Sequence, residues 1–384
     1  MDKSAFERST TGRVVPTIGG QWAFVPNDLP PILDMNDFVA PLVEATQLLG
    51  ELNGVFKTLP DPYILIRPLQ TKEALTSSSM EGTYTTIDEL MLAEAGYDHA
   101  KQSADTREVL NYSSALKNAI LSLSDIPLSL RTITTSHEDL LNGVSKARGA
   151  MIRPGELKAH QNWIGARTIE NARFIPPPPG EAREALYALE KYIQRDGREK
   201  TPPLIEAALI HYQFETIHPF PDGNGRVGRI LIPLYLFERK TIRHPVLYIS
   251  PWLEKHKDEY IDRMFSVSKD GDWSGWIEFF LNAVSETCKA TIQTADHLFS
   301  MRERYRKTLQ ARGRSALLLS MVDHIFHRPV FSIPQMADFL GVTYRAAQSN
   351  IDVLENAGII EHLHATAHPK FYAARELLRA ITNS

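Results

Sequence analysis

Residues 214–229 read FETIHPFPDGNGRVGR. An apolar helical run breaks at His218, crosses two prolines and a short loop, and restarts at once as an arginine-bearing helix. Pro, Asp, Gly and Asn serve turns for backbone reasons of their own, so a plain helix-to-helix connection would account for the composition. The order of the groups supports a second reading. A helix restarting at Gly223-Asn224-Gly225 turns its unbonded N–H groups and the positive end of its dipole toward the loop. The two glycines permit the close approach and unusual torsions of an N–H nest. Arg226 and Arg229 share one face of the first turn, and the set suits a polyphosphate. Asp222 would repel bare phosphate unless a divalent cation lay between them, and Mg²⁺ prefers one carboxylate together with phosphate oxygens and water. His218, as a neutral imidazole, stands where it can take a proton from an attacking hydroxyl.

The chain has 384 residues, 43% hydrophobic and 23% charged, which predicts a soluble globular protein with one sizeable core and at least one smaller domain. Cys288 is its only cysteine, which excludes intrachain disulfides and a thiol-rich zinc site and fits a reducing cytoplasm. The N-terminus, MDKSAFERSTTGRVV, carries charge and hydroxyls where a signal peptide needs an apolar stretch, and no apolar run approaches the roughly 20 residues of a membrane span. The expectation is a cytoplasmic protein with no membrane partner. A net charge of −4 gives no general attraction to nucleic acid or acidic lipid, so phosphate binding has to be local.

Periodicity predicts an almost entirely helical body. Residues 1 to about 30 read as an extended arm. A helix from Asn36 to Phe56 follows, with Phe38, Leu42, Ala45, Leu48, Leu49 and Leu52 at helical spacing. A second is expected from near Thr71 to Gly82, with an unusual serine cluster. Helical patterns then run from Thr86 to Leu141, and further helices are predicted over 181–196, 202–217, 224–240, 251–268 and 273–311. Between them lies the loop-rich RPGELKAHQNWIGARTIENARFIPPPPG, whose NWIGA and ARFIPP read as a short hairpin running into polyproline. From Ser315 a helix, SIPQMADFLG, VTYRAAQSNIDVLENAG and the apolar IIEHL and KFYAA make the pattern of a winged helix-turn-helix module. The domain reading is 1–110 for the arm and first helices, 111–300 for the core, 301–314 for a basic linker helix and 315–384 for the terminal module.

HPFPDGNGRVGR agrees at every specified position with H-x-F-x-[DE]-G-N-G-R-x-x-R, and in this the chain resembles the Fic-domain family. The resemblance implies a mainly α fold, a helical bundle with a small β-hairpin flap. It implies an adenylyltransferase in which His218 deprotonates a protein Ser, Thr or Tyr hydroxyl that attacks the α-phosphate of ATP. AMP is transferred, pyrophosphate leaves, and the target is another protein or the chain itself. By matched position Asp222 holds Mg²⁺; Gly223, Asn224 and Gly225 cradle the phosphates; Arg226 and Arg229, with Val227 and Gly228 between them, contact the β- and γ-phosphates; and Phe220 packs the loop into the core. PGELKAHQNWIG is similar to a segment upstream of the motif in such proteins, departing at Lys158, where they often carry arginine. The hairpin, with Ile164, Gly165, Phe174 and Ile175, matches a flap that holds an extended target segment by strand addition.

SSSMEG, residues 77–82, resembles the family's inhibitory motif [ST]-x-x-x-E-[GN]. Ser77 and Glu81 fall one helical turn apart on one face, and the resemblance implies that Glu81 pairs with Arg229. A bidentate carboxylate would then consume the fork that orients the γ-phosphate. Tyr248, Trp252 and His256 follow the loop at a distance suited to adenine contacts. Two alternatives stay open: removal of AMP from a modified protein at the same site, and a DNA-binding regulator whose helical body senses nucleotide. Against the second, between Gly313 and Ser384 the basic Arg314, Arg328, Arg345, Lys370, Arg375 and Arg379 are matched one for one by acidic residues. Phosphate contacts dominate DNA affinity, so a protein-docking or homodimer role for the module is favoured.

Overall fold

The computed structural model describes residues 1–57, 59, 61–97, 102–143, 153–311, 316–363 and 369–383. The N-terminal arm is an antiparallel hairpin, β1 (Gly12–Pro16) and β2 (Trp22–Pro26), with Val14 opposite Phe24. Its inner residues Ala23, Phe24 and Val25 are buried, which is why the arm is not free. Helix α1 (Val39–Lys57) buries Ala45, Leu49, Leu52 and Phe56, the stripe its periodicity predicts. Helix α2 (Tyr63–Ser79) starts eight residues before the expected Thr71 and runs through Pro68. A proline inside a helix removes one backbone hydrogen bond; here Ile64, Leu65, Ile66 and Pro68 are all buried, and packing overrides local propensity.

The next helices are α3 (Ile87–Glu94), opened by a Thr86/Glu89 capping box, α4 (Ala104–Ser122) and α5 (Leu130–Leu141). Helix α6 (Pro179–Gln194) follows the flap segment. The expected flap hairpin is reduced to one antiparallel bridge, Ile164 to Phe174. At the centre lie α7 (Pro203–Ile217), in which every residue from Leu204 on is buried, and α8 (Asn224–Glu238). The helix expected over 251–268 is two, α9 (Ser250–Lys255) and α10 (Lys257–Asp270), broken at His256. Helix α11 (Trp273–Gln310) spans 38 residues, lies along α1 and sends Trp276 Nε1 to the Ala208 carbonyl at 3.0 Å.

The C-terminal segment comprises α12 (Ala316–His327), β3 (Val330–Ser332), α13 (Ile333–Leu340), α14 (Tyr344–Asn356), β4 (Glu361–His362), β5 (Phe371–Ala373) and α15 (Arg375–Asn383). The two predicted strands are present, and β5 pairs with both β4 and β3; β3 and α15 were not foreseen. Residues 301–310 of the expected linker helix continue α11, and 312–314 lie outside the described residues. Helices α12 and α15 pack on α2, so one hydrophobic core runs from Phe38 to Ile381. Among the described residues no helix is long and apolar enough to cross a membrane.

Candidate active site

The loop joining α7 to α8 is built on a conformation that side chains avoid. His218, closing α7, has φ 48° and ψ 60°, a left-handed geometry that crowds Cβ. It lets the chain leave the helix sharply while the His218 amide still bonds Phe214 O at 3.0 Å. Gly223, at φ 78°, makes the second left-handed turn and opens α8. Between them Phe220 is fully buried, as expected of a loop anchor. Asn224 staples the loop: its Oδ1 accepts from the Phe220 amide at 2.9 Å and its Nδ2 donates to the Phe220 carbonyl at 2.8 Å. Its side chain thus braces the loop, and its backbone N–H is the group that faces out from the first turn of α8.

His137 of α5 holds the loop from the other side. Its ring stacks on Phe220, centroids 3.9 Å apart. The Gly155 amide donates to Nδ1 at 2.9 Å, which leaves Nε2–H to donate to the Asp222 carbonyl at 3.0 Å. Burial pushes its pKa down to about 4, so the ring is neutral in this role. Nothing in the sequence around His137 marks it, because its partners lie in another part of the chain. Asp222 is half-buried, and its Oδ1 accepts from the Gly223 amide at 2.7 Å. A single carboxylate at the head of the α8 first turn fits Mg²⁺ that takes its remaining ligands from phosphate and water.

The Nδ1 of His218 lies 3.2 Å from the Glu215 carbonyl, which fixes the proton on Nδ1 and leaves Nε2 with a free lone pair. Burial, aided by the charge of Lys158, lowers its pKa to about 4. At neutral pH the imidazole is an acceptor.

The two arginines have different environments. Arg229 is almost fully buried and donates from Nε to Ser77 Oγ at 2.8 Å, and from Nη2 to the Ser77 carbonyl at 2.7 Å and Glu81 Oε1 at 2.8 Å. The expected pairing with Glu81 is present but single-pronged, because Ser77 takes Nε and shares Nη2 with Glu81. A Cβ added to Gly225 would strike Glu81 Oε1, so the carboxylate sits directly against the first turn of α8. Although burial opposes it, the Arg229 guanidinium holds the Glu81 carboxyl below its ordinary value. Arg226, by contrast, has no exposed surface and pairs with Glu108 of α4 at 2.7 Å. Its Nε and Nη2 find no acceptor among the described residues. Val227 is core, and Gly228 serves helix packing: a Cβ there would strike Glu215 Oε1, and its carbonyl meets His211 Nδ1 at 3.0 Å.

Sequence reasoning missed three further carboxylates. Glu108 binds Arg226. Glu73 lies one turn before Ser77 on α2, with Glu81 in the turn beyond the end of that helix, and accepts from Tyr112 and Ser250; the spacing Glu73, Ser77, Glu81 was the legible signal. Glu215 is buried with one oxygen unpartnered, and burial raises its pKa to about 8.

The flap and adenine expectations change most. Phe174 and Ile175 are buried under the N-terminal hairpin, Phe174 against Phe6 and Phe24, while the Phe24 amide bonds the Ile175 carbonyl at 2.9 Å. Ile164 pairs back on Phe174, and Gly165, at φ 83°, turns at the exposed edge. Trp252 and His256 stack on each other at 3.9 Å. Tyr248 and Trp252 line a cavity of about 90 Å³ with Leu69, Lys72 and Thr291, to which no residue of the 218–229 loop contributes. Helices α9 and α10 meet the end of α2 instead: Glu254 accepts from Ser79 at 2.5 Å and Lys257 donates to the Met80 carbonyl at 2.7 Å.

Residues 39–121 match the family model described as Fic/DOC family N-terminal, and residues 127–236 match that of the Fic/DOC family. The chain is 26% identical over 189 residues to the protein adenylyltransferase Fic of Culex quinquefasciatus and, equally, to that of Aedes aegypti, covering 49% of this chain and 34% of each relative. It thus spans about a third of the length of the curated relatives it matches. Its fold is that of a Fic family protein from Desulfovibrio desulfuricans G20, with TM-score 0.57 and 18% identity over 90% of this chain and 98% of that one. A Fic domain containing signaling protein from Bacteroides thetaiotaomicron VPI-5482 gives TM-score 0.54 and 19% identity over 66% and 97%. With the signature loop seated between α7 and α8 as described, the chain belongs to the Fic/DOC family.

Proposed function

We propose that the chain is a protein adenylyltransferase restrained by Glu81. One observation carries the reading: a neutral His218 with Nε2 available stands beside a helix N-terminus whose anion position is held by the Glu81 carboxylate. A carboxylate seated at Gly225 and bonded to Arg229 occupies what the outer phosphates of ATP require. With Glu81 withdrawn, the first-turn N–H groups and Arg229 receive those phosphates. The target hydroxyl oxygen then bonds the α-phosphorus, the bond to pyrophosphate breaks, and the hydroxyl proton passes to His218 Nε2. Asp222 is the residue that would hold Mg²⁺, whose charge offsets that of the phosphates. Arg226, buried against Glu108, adds positive potential beneath the site rather than a direct contact.

An extended target segment would add along Trp163–Gly165, the edge left when β2 covers the opposite side of the flap. The C-terminal module is read as a docking surface. Arg375 is engaged by Asp88 and Glu361, and Gln348 on α14 bonds Asp352 at 2.8 Å, which withdraws groups that a DNA reader would need.

The test is transfer of label from ATP marked at the α-phosphorus, to the chain itself and to proteins of a lysate. Glu81→Gly should transfer more than wild type, and adding His218→Ala should abolish the transfer, with a loss of about 10²–10⁴. Transfer that survives loss of His218 defeats the reading. Release of AMP from a modified protein by the wild-type chain alone would reverse the direction.

A further inference from the structure

We propose that Lys158, acting with Asn162, is a positioning residue for His218: a clasp on four successive backbone carbonyls that holds the base in its left-handed turn. The inference rests on the adenylyl-transfer reading of the site. A side chain with a Cβ persists in that region only where its surroundings over-determine it, and here the determinants can be named. The Lys158 ammonium donates to the Ile217 carbonyl at 3.3 Å. Asn162 Nδ2 donates to the His218 carbonyl at 3.1 Å and to the Phe220 carbonyl at 3.0 Å. The Lys158 amide donates to the Pro219 carbonyl at 2.8 Å. The clasp closes on itself, since Lys158 Nζ also donates to Asn162 Oδ1 at 2.8 Å. Carbonyls 217, 218, 219 and 220 are thus all taken by two side chains and one amide from a segment some 55–60 residues earlier.

The burial of Lys158 needs a reason. The residue is 3% exposed and burial lowers its pKa to about 7; a buried amine, charged or neutral, is costly unless its hydrogen bonds are made. The bonds it makes all serve the His218 turn, directly or through Asn162. The positive charge also faces the imidazole and favours its neutral form, against Glu81 from the end of α2 and Asp222 from the loop itself, which oppose that effect. The acting groups are three donors at fixed positions. A guanidinium can supply the equivalent donors, whereas an isosteric apolar chain cannot.

The experiment uses the full chain carrying Glu81→Gly, in which transfer is unrestrained. Lys158→Met in that parent should lower kcat about 10²-fold, the cost of misplacing a reacting group by about 1 Å. ATP affinity, read by equilibrium binding, should stay unchanged because the cradle is untouched, and Lys158→Arg should recover most of the rate. A loss in ATP affinity equal to the loss in rate, full activity in Lys158→Met, or no better rate in Lys158→Arg would each overturn the proposal. If Lys158→Met does not fold, Asn162→Ala at its half-buried position must show the same separation of rate from affinity. A second readout needs no activity: amide hydrogen exchange at His218 and Phe220 should accelerate in Lys158→Met while α7 stays protected, and unchanged exchange there rejects the clasp. An inert Glu81→Gly parent with faster exchange in Lys158→Met would therefore fault the transfer reading and leave the clasp standing.

Discussion

His218 combines a left-handed backbone, an Nδ1 facing a carbonyl and a half-buried ring near the Lys158 amine. Burial and the Lys158 charge keep Nε2 unprotonated against the pull of Glu81, Asp222 and the Glu215 carbonyl, and that carbonyl places the remaining proton on Nδ1. Its pKa is pushed down to about 4, so the neutral form persists well below the ordinary imidazole range and is lost only as pH falls through about 4. The pH–rate profile of the Glu81→Gly variant should accordingly show no acid limb near 6.5, where an unperturbed histidine titrates; a limb there would show that the ring is not desolvated. Glu81 faces a different balance, since its bond to Arg229 is single and its side chain is one-third exposed. A charge-assisted bond contributes about 1.5–3 kcal/mol, and screening places this one toward the lower end, so Glu81→Gly should raise transfer about tenfold. Adding Arg229→Ala should cancel the gain, because the guanidinium that Glu81 releases is then gone. A gain that survives in the double variant would mean that Glu81 acts elsewhere.

At the scale of elements, the site is the meeting of α2, α7 and α8. Helix α2 presents Glu73 and Ser77 one turn apart, and Glu81 follows in the turn just past its end, each toward a polar partner from another element. The apolar periodicity of α1 and α11 was legible because each buries a stripe, whereas α7 is buried on all sides and its pattern tells only that it is central. Gly228 sets how closely α7 and α8 approach. A methyl group there would meet the buried Glu215 carboxyl and the Phe214 ring, and overpacking of this kind costs about 1–3 kcal/mol. Gly228→Ala should lower the unfolding free energy by that amount, read as a lower denaturant midpoint with little change in m-value; an unchanged midpoint would show that the pair has slack. Gly82, by comparison, has open space around its Cβ position and is required only for its φ of 81°.

For the whole molecule, the C-terminal module is not an appendage. Helices α12 and α15 pack on α2, His327 pairs with Asp61 at 2.9 Å, Gln335 bonds the Ala95 carbonyl at 2.8 Å, and Arg375 meets Asp88. A chain ending at Gln310 should therefore melt below the full-length protein and expose apolar surface to a hydrophobic dye; the same melting temperature in both would mark the module as independent. By itself the sequence determined the mainly helical body and the signature loop, whereas the N-terminal hairpin, β3 and α15 were not read from it. Helical periods are local, and the loop gathers base, carboxylate, glycines and arginines within twelve consecutive residues. Only the tertiary structure decided that Arg226 turns to Glu108, that Ser77 shares Arg229 with Glu81, and that the N-terminal hairpin covers the flap. Those partners lie up to 152 residues apart. A periodic pattern reports that a face is buried without naming what buries it, so the choice among charged partners waits on which helices meet.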